Sequence, residues 1–228
     1  MSEFTLKVYD QDLPEEVVTD LQKCTMVGVD TETTGLNPHR DRVCLVQIFD
    51  PDTKLVHAVK LTQNTKDHAA ELSPNLRRFL VEGAKPPVHA LTILPLKIFH
   101  FAPFDVKALK GTLGVDTTGF TCTRMLSKIA RTYSPKHSLK DVLKEMLGVP
   151  MDKTQQTSYW GAEDLTQAQL EYAAKDVIYL PELYLALCAQ IFSEGRRAIQ
   201  IAAETVLPSM IYLEQQGWDS SLFGYSSS

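Results

Sequence analysis

The chain has 228 residues, 44% of them hydrophobic and 22% charged, with a formal net charge of −5. Such a composition is ordinary for a globular protein with one sizeable core, and no uninterrupted apolar run approaches the ~20 residues of a membrane span. The overall negative field repels a long polyanion, which argues against a non-specific nucleic-acid coat.

One domain spanning residues 1–228 is the expectation, with a core from about 25 to 190 and a helix and tail over 195–228. The amino terminus MSEFTLKVYDQD lacks the basic and apolar order of a signal peptide, so a cytoplasmic location is expected. Screening beyond ~8 Å still leaves room for a local anion site built from metal and a few basic side chains. The cysteines, Cys24, Cys44, Cys122 and Cys188, form no CxxC pair and read as buried, reduced thiols.

In chain order, PEEVVTDLQK over 14–23 predicts a short helix leading into the strand TMVGVDTE. After the turn TTGLNPHRDR, the runs RVCLVQIFD and KLVHAV continue a meander of three strands. A helix near SPNLRRFLVEG follows, then an apolar strand LPLKIFHF and a helix APFDVKALKGTLG ended by glycine. From Cys122 onward, apolar residues recur at helical spacing, with Pro181 and Pro208 expected to bend or break the helices. Strands first and helices afterwards predict an α+β or mixed α/β domain, a mixed central sheet flanked by helices with a helical C-terminal part. No internal repeat is present, and SSLFGYSSS reads as a tail that is loose or docked on a partner.

Three stretches carry chemistry. In VGVDTETTG the strand alternation puts Asp30 and Glu32 on one face and Val29 and Thr31 on the other. Two like charges ~4 Å apart at an effective dielectric of ~20 repel by roughly 4 kcal/mol, so the pair needs solvent, protonation or a cation. In IFHFAPFD a strand turns into a helix and leaves Asp105 near its start, where the helix dipole alone would favour a carboxylate. In LEYAAKDVIYL, Tyr172 and Asp176 stand four apart on one helical face, a spacing also met in ordinary surface pairs.

Taken together and in this order, the three stretches resemble the three motifs of the DEDD exonuclease superfamily, in the subclass with tyrosine in the third motif. The segment YWGAEDLTQAQLEYAAKDVIYL, with Trp160 upstream of the tyrosine, is similar to RNase D-type enzymes. Further, TGLNPHRDRVCLVQI, KIFHFAPFD and SKIARTYSPKHSLKDVL resemble the nanoRNase C branch, compact bacterial enzymes that degrade very short RNA. RNase D second motifs usually read His-Asn-Ala-x-Phe-Asp, whereas Phe101 stands here in the asparagine position. The chain also stops soon after the exonuclease unit, where RNase D continues into helical nucleic-acid-binding domains, so tRNA 3′-end processing is not expected.

The resemblance implies an RNase H-like fold and removal of nucleotides from RNA 3′ ends by two divalent ions, Mg2+ or Mn2+. Hard oxygen ligands without cysteine or histidine suit those metals. Asp30 would bridge the ions, Glu32 and Asp176 would bind the one on the attacking side, and Asp105 would support the other. Tyr172 would position the attacking water. Its ordinary pKa of ~10 makes orientation a better role than deprotonation.

Substrate contacts are expected from Thr31, Leu36, His100, Phe101, Arg131, Lys136 and His137. Leu36 is either an apolar wedge against the bases or a turn leucine covering the core. Phe101 either stacks a base, worth ~1–3 kcal/mol, or packs between Phe99 and Phe104. Arg131, Lys136 and His137 lie in the loop RTYSPKHS, which either holds a 5′ phosphate or is merely solvated. Lys97, Arg40 and Arg42 stay unassigned. The partners implied are dinucleotides or other short single-stranded RNA and, by the same resemblance, seven further copies of the chain in a homo-octamer, with Trp218, Phe223 and Tyr225 as candidate subunit contacts.

Competing readings are an exonuclease acting on longer RNA or on DNA, and a non-catalytic nucleic-acid-binding module. The HRD at 39–41 is no kinase loop, because Val46 stands where that loop needs asparagine and no glycine-rich GxGxxG is present.

Overall fold

Every residue of Val43–Asp50 is buried. A strand covered on both faces demands a layer on each side of its sheet. In the computed structural model, which describes residues 4–37, 40–61, 66–82, 95–151 and 158–223, that strand (β3) lies inside a six-stranded mixed sheet. The others are β1 (Thr5–Asp10), β2 (Met26–Thr33), β4 (Leu55–Lys60), β5 (Leu96–Phe99) and β6 (Phe120–Cys122). Their spatial order is β1-β4-β3-β2-β5-β6. The pairs β2/β3 and β3/β4 are antiparallel, as the meander predicts, while β1/β4, β2/β5 and β5/β6 are parallel. The expected mixed α/β architecture is therefore the one observed.

One face is covered by α1 (Glu15–Leu21), α3 (Pro74–Val81) and α4 (Ala102–Leu113). Val29, Val46 and Ile48 pack there with Leu21, Phe79 and Leu109. The other face is covered by α7 (Gln167–Ile178) and α8 (Leu180–Ser193), where Leu45 meets Trp160 and Ala173, and Phe49 meets Ala174 and Val177. The remaining helices are α2 (Lys66–Leu72), α5 (Thr123–Ala130), α6 (Leu139–Leu147) and α9 (Arg197–Gln215), with a 3₁₀ turn at Ser220–Phe223. Helices α5, α6 and α8 share a further apolar cluster around Leu126, Leu143 and Leu187.

Proline acts differently at its two helical positions. Pro181 sits in the first turn of α8, where a missing N–H costs nothing, and the chain changes helix at Tyr179. Pro208 does not break α9, contrary to one of the two expected outcomes, because the buried Glu204 and Ile211 hold the helix on either side of it. The run Gln167–Ser193 reaches the length and hydropathy of a membrane span, but it is two helices packed on the sheet. All four thiols are free, three of them buried.

Strands β1 and β6 escape the sequence patterns. The former alternates weakly and is mostly exposed at the sheet edge, and the latter has three residues. His39, Tyr225 and the Phe223 side chain lie outside the described residues.

Candidate active site

Strand β2 ends with Asp30 and Glu32 on the face that α7 covers, and its register against β3 slips between Glu32 and Thr33. Bulges of this kind re-aim side chains at strand ends. Gly28 fixes how closely α7 can approach. A Cβ there would lie 2.4 Å from the carbonyl oxygen of Val177, so only glycine lets the helix backbone rest on the strand. Helix α7 itself starts in a capping box, Thr166 accepting from the Gln169 backbone and Gln169 reaching back to Thr166. Its buried Ala173, Ala174 and Val177 face the sheet.

This contact carries Asp176 to the acidic strand. Carboxylate oxygens of Asp30, Glu32 and Asp176 lie within 4.8 Å of one another. Tyr172, one turn earlier, hydrogen-bonds to Asp176 and packs against Trp160, with ring centroids 6.2 Å apart. Asp105 enters from the first turn of α4 and is 3% exposed. Its Oδ1 accepts a 2.8 Å hydrogen bond from Thr31 Oγ1.

The electrostatics follow from this crowding. Burial, then the charges of Asp105, Asp176 and Glu32, push the Asp30 carboxyl well above its ordinary range. Burial followed by Asp176 and Asp105 raises Glu32 to about 9. Asp105 rises to about 7 through burial, against the pull of the Thr31 hydroxyl. Burial and then Asp176 push the Tyr172 phenol above its usual value, so it keeps its proton at neutral pH. A divalent cation fits this set: the donors are hard oxygens, they converge, and what strains them is the like-charge repulsion that a cation relieves.

The carboxylates open into a cleft of about 630 Å³. Leu36, 83% exposed, stands on its wall and does not cover the core. Phe101 also lines it, 46% exposed, with the Arg124 guanidinium 4.5 Å from its ring centroid. Thr31 and His100 line the cleft as well, but their polar atoms are engaged within the protein. His100 pairs its Nδ1 with Thr123 Oγ1 at 2.9 Å and its Nε2 with the His137 carbonyl at 3.0 Å, tying the second motif to the loop before α6.

The basic loop corrects the sequence reading. Arg131 is fully buried and points inward, where its guanidinium binds Glu145, the carbonyl of Lys136, Ser127 and Ser134. His137 turns its Nδ1 to Ser127 Oγ at 2.9 Å, and neither it nor the exposed Lys136 lines the cleft. Ser138, Lys140 and Arg124 line it instead. Lys140 lies in the same basic stretch, but nothing local in SPKHSLK tells which cation faces inward. Of the unassigned residues, Arg40 pairs with Asp41 and Arg42 donates to the Leu61 carbonyl. Lys97 is buried, held by the carbonyls of Glu82 and Thr118.

A mixed sheet that presents three strand and helix carboxylates beside a tyrosine, at the head of a cleft, defines a nuclease of the DEDD type. The chain belongs to the 3′-5′ exonuclease family, whose model matches residues 6–191. It is similar to Brucella melitensis NrnC bound to pGG, with 37% identity and a TM-score of 0.81 over 98% of this chain and 100% of that one. The same Brucella protein with bound Mg2+ matches at 36% identity and a TM-score of 0.82, over 98% and 100% of the two chains. Among curated proteins, DNA polymerase I of Aquifex aeolicus is 33% identical over 75% of this chain and 25% of its own length. A ribonuclease D of Gluconacetobacter diazotrophicus is 27% identical over 79% of this chain and 41% of its own. The chain thus spans a quarter to two fifths of the length of these two curated relatives. The RNase H-like exonuclease fold implied by the sequence holds.

Proposed function

We propose that this chain is a metal-dependent 3′-5′ exoribonuclease that hydrolyses very short RNA, down to dinucleotides, to nucleoside monophosphates. The observation that carries this reading is the convergence of the Asp30, Glu32 and Asp176 oxygens within 4.8 Å at a cleft of about 630 Å³. That volume falls in the range of small-ligand sites, ~300–1,000 Å³.

Asp30, Glu32 and Asp176, supported by Asp105, are the residues that would hold two divalent ions, Mg2+ or Mn2+. When bound, such ions polarise the phosphoryl oxygens and supply a nucleophile from water at neutral pH. Tyr172, anchored on Asp176, orients the attacking water by hydrogen bonding. The exposed Leu36 and Phe101 offer apolar surfaces to the two bases of a short substrate. Arg124 and Lys140, with the Ser138 hydroxyl, supply the local positive charge for its 5′ phosphate, in place of Arg131, Lys136 and His137. The net charge of −5 suits a short ligand better than a polymer. The Brucella NrnC complex with pGG supports the same substrate class.

The test incubates the pure protein with 5′-labelled RNAs from two nucleotides upward, in Mg2+ or Mn2+. Dinucleotides should turn over fastest, and equal rates on dimers and longer oligomers would reject the short-substrate reading. The second reading, a 3′ exonuclease on longer RNA or DNA, is favoured by the ribonuclease D and DNA polymerase I relatives, and DNA oligomers in the same assay decide it.

A cytoplasmic location and a homo-octamer complete the proposal. Leu185 and Phe192 on α8, and Ile199, Val206 and Tyr212 on α9, expose apolar surface for subunit contacts, as does Trp218. Light scattering should give about 200 kDa for eight chains of 25.5 kDa.

A further inference from the structure

Gln47 lies at the centre of β3 and is 0% exposed, yet neither its amide nitrogen nor its amide oxygen has a hydrogen-bond partner within the described residues. Buried amides in native proteins are almost always satisfied, so such an orphan calls for an explanation. A long apolar side chain would fill this place without any penalty, since Leu45 and Phe49, two residues to either side on the same face, are both apolar and buried.

The register supplies the explanation. Gln47 is the direct antiparallel partner of Asp30, with Gly28 and Glu32 diagonal to it on the same face. Side chains opposite one another across such a pair have Cβ atoms ~4.5–5.5 Å apart. On its other side stands Ala58, which offers no polar group, and diagonal to it Lys60, whose ammonium is engaged with Asp10 and the Glu163 carbonyl. Helix α7 packs on this face, its Ala173 clustering with Leu45 and its Ala174 with Phe49, the residues that flank Gln47. Asp30 is therefore the nearest acceptor in register for the Gln47 amide.

We propose that Gln47 is a positioning residue for Asp30: its amide N–H holds the Asp30 carboxylate through one buried water, in the orientation that gathers it with Glu32 and Asp176. A water at this place would have the polar partners that buried waters need. Ligand carboxylates are commonly held by outer hydrogen bonds of this kind, and losing one typically costs 10–100-fold in metal affinity or activity. This inference rests on the exonuclease reading above, and its test separates the two.

The experiment compares Gln47→Met with the wild type and with Asp30→Ala by Mn2+ titration, using electron paramagnetic resonance or calorimetry, and by kcat and KM on a dinucleotide. Met matches the volume and exchanges a buried amide for an apolar group, so the metal-free variant should melt close to the wild type. Its Mn2+ affinity should fall at least tenfold and kcat should fall with KM unchanged. In an Asp30→Ala background, Gln47→Met should have no further effect on Mn2+ binding. Wild-type Mn2+ affinity in Gln47→Met, with Asp30→Ala losing it, would overturn the role of Gln47 and leave the exonuclease reading intact. Undiminished Mn2+ binding in Asp30→Ala would overturn both. Should Gln47→Met melt early, Gln47→Leu provides the same comparison.

Discussion

The Thr31 hydroxyl donates a 2.8 Å hydrogen bond to Asp105 across 74 residues of sequence, joining the first and second acidic motifs. It pulls down a carboxyl that burial raises to about 7. Thr31→Val keeps the shape and removes the donor, so the Asp105 pKa should climb and a larger fraction of it be protonated at pH 7. The expected result is a kcat about tenfold lower at pH 7, as for other lost outer hydrogen bonds, and recovering as pH rises above 8. A pH profile identical to that of the wild type would show that the bond is only structural.

Gly28→Ala places a methyl group 2.4 Å from the Val177 carbonyl unless α7 moves. Overpacking of this kind costs roughly 1–3 kcal/mol. The variant should melt earlier and lose activity more than stability, because the shifted helix carries both Tyr172 and Asp176. Calorimetry and dinucleotide hydrolysis on the same preparation check both effects.

Asp30→Asn removes one charge from a like-charged cluster. The metal-free protein should gain about 1–2 kcal/mol, the usual outcome when a functional site is relieved of strain, while hydrolysis should vanish. Tyr172→Phe should lower kcat by roughly 100-fold, the scale of a misplaced reacting group, with Mn2+ affinity nearly unchanged. Full activity in either Asp30→Asn or Asp30→Ala would refute the assignment of that carboxylate.

Arg131→Ala strips a buried guanidinium from Glu145, the Lys136 carbonyl and Ser127. Hydrogen bonds to charged groups contribute ~1.5–3 kcal/mol each at most, so a loss of roughly 2–4 kcal/mol is expected. Arg131→Lys should recover little of it, since one ammonium cannot span the fork. Arg124→Ala should instead leave the melting temperature alone and raise KM for 5′-phosphorylated dinucleotides more than for unphosphorylated ones.

His57 is buried against Tyr9, whose hydroxyl lies 3.1 Å from its Nδ1. Burial holds its pKa down to about 4 from 6.5. The folded state therefore binds this proton less well than the unfolded chain. Its contribution is fully present above pH 6.5 and is lost as pH falls towards 4, up to about 3 kcal/mol in all. Urea denaturation of His57→Gln between pH 4 and 7.5 should show a shallower acid slope than the wild type.

Periodicity along the chain settled much of this protein. The alternation in VGVDTE placed Asp30 and Glu32 together, the breaks between apolar runs marked the β2–β3–β4 meander, and four-residue spacing put Tyr172 beside Asp176. These are local properties, fixed by backbone geometry within a few residues. Strand pairing over long distances is not local, so the edge strand β1 and the three residues of β6 stayed hidden until the parallel partners β4 and β5 were in place. The direction in which a cation points depends likewise on what it packs against. Arg131 and Arg124 look alike as letters, yet Glu145 and the Lys136 carbonyl draw one inward while the Phe101 ring holds the other at the cleft. Gln47 reads as one polar residue in an apolar strand, and only the register that sets it against Asp30 distinguishes it from its neighbours. Sequence determined which groups the chain carries and the face each occupies; tertiary packing decided which of them meet, because desolvation and hydrogen bonding act between segments that the chain order keeps apart.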